Sequence, residues 1–203
     1  MRRCLLLTLF SFLVLTSVYG QYPGKFIIGF NYGFGNEFKN KDYIFDNHFY
    51  KFEIYYNLKE NRNFQYQILL QPEINFAKHK LLNLYFVKPE TADFEEKRLV
   101  YTQLKNVREY VLNIGFLVRK PINEKLSVYA LGSIGPMITD TETERMSEGF
   151  AFADVLAIGF CIKVLRFQLD IRPGIRHVSN AGLGNSNAGY NTKNIEFGIS
   201  YCL

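Results

Sequence analysis

From Phe26 onward the chain keeps a two-residue beat, with aromatic and aliphatic side chains on one parity and amides, charges or glycines on the other. Phe26, Ile28, Phe30, Tyr32 and Phe34 alternate with Gly29, Asn31, Gly33 and Gly35, and Tyr50, Phe52, Ile54 and Tyr56 oppose Lys51, Glu53 and Asn57. Phe64, Tyr66, Ile68, Leu70 and Ile74 then oppose Gln65, Gln67, Gln71, Glu73 and Asn75. Successive side chains of a strand leave opposite faces, so this period predicts two-faced strands. Further segments at 109–119, 125–138, 150–164, 166–179 and 193–203 bring the expected number to about eight.

In a soluble sandwich the apolar face would pack inward. Three features turn it outward. The apolar face is dominated by Phe and Tyr, while the opposite one carries Glu53, Gln67, Glu73, Asp154, Asp170, Arg172 and Arg176. Connections alternate in length, short at Lys59–Arg62, Lys120–Lys125 and Leu165–Arg166 and longer elsewhere, the longest running over 77–108. Residues 1–20, MRRCLLLTLFSFLVLTSVYG, have the charge, apolar run and small-residue order of a cleaved secretory signal peptide. Short inner turns, long outer loops, a greasy exterior and a polar interior describe an all-β fold, an eight-stranded antiparallel outer-membrane β-barrel. Closure pairs every backbone N–H and C=O without water, which hydrocarbon demands. The organisation expected is a leader over 1–20 and a single transmembrane barrel domain over 21–203.

No stretch after the leader is apolar for the length a helical span needs. The charge of +5 falls to 5 − 2 = +3 once Arg2 and Arg3 leave, and no basic stripe interleaved with aromatics suggests nucleic acid. An eight-stranded barrel is about narrow enough to be filled by its own side chains, so the inward acids, amides and arginines should pair. Cys161 and Cys202 take the inward parity of strands six and eight. Two inter-strand steps of about 4.8 Å exceed the usual Cα separation of a disulfide, so free thiols are expected.

Chemistry concentrates in the last segment, GIRHVSNAGLGNSNAGYNTKNIEFGISYCL. Counting by twos from Phe167, Leu169, Ile171 and Ile175 puts His177 and Ser179 on the outward face, near the external rim. Side chains at i and i+2 of a strand stand side by side, so the imidazole can approach the hydroxyl. A polar pair on a lipid-facing wall is costly unless it serves a purpose.

His177, Ser179, Asn180 and Ala181, a glycine-rich turn, and then Asn187, Gly189 and Asn191 resemble the signature of the PagL-type lipid A 3-O-deacylases, over about the last 27 residues. The resemblance implies an esterase acting on lipid A, the membrane anchor of lipopolysaccharide, in the outer leaflet, without metal or cofactor. By position Ser179 corresponds to the nucleophile and His177 to its general base. Backbone N–H groups around Asn180 and Ala181, or the Asn180 amide, correspond to the oxyanion donors. One departure is clear. The family carries a glutamate just after the Gly of Asn-x-Gly, where this chain has Asn191. An amide can orient the ring but cannot neutralise an imidazolium. Glu196 is the nearest acid in sequence and takes the inward parity, and Asp140, Glu142 and Glu144 sit in a loop. Asn191 is therefore the expected orienter.

His48 and His79 lack partners at metal-ligand spacing and are expected at loops or the rim. GLGNSNAG has no following Gly-Lys-Ser/Thr, which makes a phosphate cradle a poor fit. The competing reading is a non-catalytic small barrel that stabilises the membrane or displays its loops to a partner, with the motif as a remnant.

Overall fold

A computed structural model describes residues 25–38 and 41–203; the expected leader and its boundary lie outside them. The alternation resolves into eight strands: β1 (Phe26–Glu37), β2 (Tyr43–Glu60), β3 (Gln65–Leu81), β4 (Lys105–Pro121), β5 (Leu126–Thr139), β6 (Gly149–Val164), β7 (Phe167–Ser179) and β8 (Tyr190–Cys202). Each pairs antiparallel with its sequence neighbour, and β1 pairs with β8 to close the barrel. Following paired residues once around, Thr192, Arg176, Val155, Ser133, Gly115, Leu69, Tyr55 and Ile27, returns to β1 ten residues from Glu37, the residue that faces Thr192 directly (37 − 27 = 10). A stagger of that size over eight strands tilts them by roughly 40°, the usual range for barrels.

The outward face is a continuous apolar surface of exposed Phe, Ile, Leu and Tyr, including Phe30, Phe52, Leu112, Ile134, Ile158, Phe160, Leu169 and Phe197. Such a wall is stable only against lipid. The lumen is filled, as expected. Arg172 reaches Glu53 at 2.9 Å and Glu196 at 3.3 Å, Arg176 reaches Glu109 at 2.8 Å, and Lys51 reaches Glu196 at 2.9 Å. Yet it is not polar throughout. The charged layer lies between two apolar clusters, one around Tyr43, Phe45, Met137 and Tyr190, the other around Leu69, Leu117, Tyr129 and Val155. Side chains that exclude water from a narrow lumen pack there as in any core. Cys161 and Cys202 are free, and Gln168 of the intervening strand lies between them, with Nε2 3.3 Å from the Cys202 sulfur.

One expectation needs correction. Asp154 does not face the lumen: it shares the parity of Leu156 and Ile158 and is exposed on the outer wall. The charge of Asp154 suggested the lumen, and the strict parity of β6 imposed the outer wall. His79 stands at the loop end of β3, as expected, with its side chain turned into the barrel mouth. It is buried, with Nε2 2.8 Å from Glu144 of the β5–β6 loop. His48 does stand on the outer face near the rim, stacked on Phe76.

The long connection forms no hairpin. β3 continues to Leu81, a 3₁₀ turn spans Leu84–Phe86, and helix α1 (Phe94–Tyr101) follows. Glu95 and Glu96 occupy its first turn, where acids suit the helix dipole. Phe86, Val87, Phe94 and Tyr101 pack with Leu81 of β3, and Tyr101 donates to Glu142 at 2.8 Å.

Candidate active site

Three adjacent strands assemble the candidate site at the loop end. In β7 odd-numbered residues face outward, so His177 and Ser179 share the lipid-facing wall with Ile175, while Arg172, Arg176 and Val178 are buried in the lumen. In β8 Asn191 and Lys193 face outward and Tyr190, Thr192 and Glu196 inward. The register pairs His177 with Asn191. The ring Nδ1 lies 2.8 Å from Asn191 Oδ1. An amide oxygen only accepts, so Nδ1 carries the proton in this contact and, in the neutral ring, Nε2 presents the lone pair.

Ser179 closes β7, half-buried on the same face. Among the described residues the His177 ring makes one hydrogen bond, to Asn191, and none to the serine hydroxyl. The returning chain passes close beside both residues. A Cβ at Gly189 would come 3.6 Å from both His177 Cε1 and Ser179 Cβ and collide with the Val178 carbonyl at 2.4 Å, so only a glycine lets the chain run this close to β7. Its φ of +60° also favours glycine.

The turn after Ser179 is tightly made. Asn180 C=O accepts from Leu183 N–H at 2.9 Å, with φ of 52° at Ala181 and 78° at Gly182, the conformation of a type I′ turn. Asn180 is buried; its N–H donates to Asn187 Oδ1 at 2.9 Å and its amide to the Ser186 carbonyl at 2.8 Å. Both Asn180 groups considered as oxyanion donors thus serve the loop. The Ala181 N–H has no acceptor among the described residues.

Sequence inspection missed the residues that clamp this loop from outside. Arg145, in the β5–β6 loop, donates from Nε to the Gly189 carbonyl at 2.5 Å, with its guanidinium over the Tyr43 and Phe86 rings. Ser186 Oγ donates to the Glu144 carbonyl at 2.8 Å, and Met146 forms a β-bridge with Asn187. These contacts join segments about 42 residues apart, beyond any local signal.

The acids considered as substitutes for the missing glutamate are engaged elsewhere. Asp140 accepts the Arg108 N–H, Glu142 the Tyr101 hydroxyl, Glu144 is paired with His79, and Glu196 lies in the lumen with Lys51 and Arg172. The outward acid beside His177 is Asp154, its register partner on β6.

A closed barrel with a lipid-facing exterior, carrying an imidazole and a serine on its outer wall beneath the external loops, is an outer-membrane β-barrel. A family model described as "Lipid A 3-O-deacylase (PagL)" matches residues 96–200, just over half of the 203, and the chain belongs to that family. Membership places it in the outer membrane, among lipid A deacylases. The crystal structure of the outer membrane enzyme PagL is similar at a TM-score of 0.57 and 11% identity, covering 84% of this chain and 97% of that one. Neisserial surface protein A (NspA) is similar at a TM-score of 0.50 and 9% identity, covering 90% of this chain and 100% of that one. At such identities the likeness is one of fold. No curated protein matches the sequence.

Proposed function

We propose that the chain hydrolyses a fatty-acyl ester of lipid A by a serine–histidine mechanism. The observation that carries this reading is the His177–Asn191 contact, which puts the lone pair of the neutral ring on Nε2, on the wall that also bears Ser179. Nε2 takes the hydroxyl proton as Ser179 Oγ attacks the acyl carbonyl. The Ala181 N–H is the donor left for the developing oxyanion, and the imidazolium returns the proton to the leaving sugar oxygen. Water then attacks the acyl-serine with His177 again as base, and the fatty acid departs. An acyl chain of the substrate already lies against the outer wall, so no lipid need leave the bilayer to react. Lys193, outward on the same face, suits the anionic headgroup layer.

The test is mass spectrometry of lipid A from cells producing the protein. The expected result is loss of one acyl chain with the unaltered protein and none with Ser179→Ala, while both run as folded barrels in heat-modifiability gels. An identical lipid profile with and without the unaltered, folded protein would refute the reading. The amide at Asn191 favours a second reading, a barrel that stabilises the membrane or displays loops without catalysis, and that same unchanged profile is its signature.

A further inference from the structure

We propose that Asp154 is the positioning acid of this site, stabilising the His177 imidazolium from β6 in place of the carboxylate that Asn191 lacks. The proposal rests on the reading of Ser179 and His177 as a catalytic pair. Of the acids on β6, β7 and β8, Asp170 and Glu196 point into the lumen and Asp154 alone points outward. It is the register partner of His177, as Asn191 is on the other side, so the ring stands between a carboxylate and an amide. Directly opposed side chains on antiparallel strands have Cβ atoms about 4.5–5.5 Å apart, within the reach of a carboxylate and an imidazole.

Its setting makes the acid hard to explain otherwise. The outward neighbours of Asp154 along β6 are Phe152 and Leu156, and its partner on β5 is Ile134, so a charge interrupts the apolar wall. The carboxylate makes no hydrogen bond or ion pair with another described residue. An ionised group on that face is costly without a cationic neighbour. The residue across from it is the one that becomes cationic during the reaction.

The proton balance is complete without a further reactant. Ser179 Oγ–H gives its proton to His177 Nε2 as the bond from Oγ to the acyl carbon forms. Asp154 stays ionised throughout, lowering the energy of the imidazolium, and the proton leaves with the sugar oxygen as the ester C–O bond breaks. Asn191 fixes the tautomer and Asp154 supplies the charge, dividing between two strands what one carboxylate does in a Ser-His-Asp triad. Lys193 on β8 is the other charged group on the flanking outward faces, and its sign opposes the imidazolium.

The experiment uses the full protein in lipopolysaccharide–detergent micelles, comparing Asp154→Asn, Asp154→Glu and the double variant Asp154→Asn with Asn191→Glu. Asp154→Asn is expected to lower kcat by about 10- to 100-fold with KM little changed, since the acid acts through His177 and touches no substrate. Asp154→Glu should recover most of the loss. So should the double variant, which moves the charge to the other side of the ring; a merely structural Asp154 would not be rescued that way. Covalent labelling of Ser179 by a fluorophosphonate gives a second readout that does not need lipid A, and its rate should fall with kcat. A kcat and labelling rate unchanged in Asp154→Asn overturn the proposal. If the unaltered protein labels but spares lipid A, the substrate assignment fails while the labelling rates still judge Asp154. If it neither labels nor deacylates, the catalytic reading and this inference fall together.

Discussion

A single amide at position 191 sets the chemistry of the ring. Asn191 Oδ1 accepts from Nδ1 at 2.8 Å and so selects the tautomer with a basic Nε2, but it contributes no charge. Asn191→Ala is expected to lower kcat by about 10-fold or more, because the ring loses its orientation, and Asn191→Glu to raise it above the unaltered protein. Initial rates of acyl release from lipid A check both. At this scale much was legible beforehand: counting by twos placed His177, Ser179 and Asn191 outward and Glu196 inward, as the strands have them. Asp154 was misplaced because its charge was trusted over its parity with Leu156 and Ile158. The roles of Asn180 in fastening the turn and of Gly189 in letting the chain return close to β7 were invisible, since both depend on which atoms the turn brings back against that strand.

At the scale of elements, the β7–β8 loop owes its shape to its neighbour. Arg145 anchors the Gly189 carbonyl from the β5–β6 loop, which is itself tied down by the His79–Glu144 pair in the barrel mouth. Arg145→Ala is expected to cut kcat/KM several-fold while leaving the strands intact, because two charge-assisted hydrogen bonds, to the Gly189 and Ala188 carbonyls, and two cation–π contacts at the loop are lost. Hydrogen exchange should quicken over residues 180–189 and stay unchanged in the strands. Strand positions could be read from the chain because their period is local and lipid enforces it on every residue. The outer loops could not. Helix α1 has a weakly amphipathic, charged sequence that forms against Leu81, Val87 and Phe86, so it exists by tertiary contact.

For the whole molecule, the lumen holds the wall in shape. Arg172 is fully buried and contacts Glu53, Glu196 and Asp170, as well as the hydroxyls of Tyr129 and Tyr55. Arg172→Met would leave Glu53 and Asp170 without their ion-pair partner, while Glu196 keeps Lys51, and is expected to cost about 3–5 kcal/mol, measured as a shift in denaturant unfolding of the lipid-reconstituted barrel. The same rigid wall carries the site, because residues held by paired strands keep their places without a cavity to enclose them. The amino-acid sequence by itself determined the barrel, its orientation toward lipid and the outward face of the histidine and serine, because a period of two leaves each side chain only two directions. Tertiary structure alone decided which residues meet across strands and loops. Register and loop closure bring Asp154, Asn191, Gly189 and Arg145 to the site from four separate segments, and no local pattern encodes such distances along the chain.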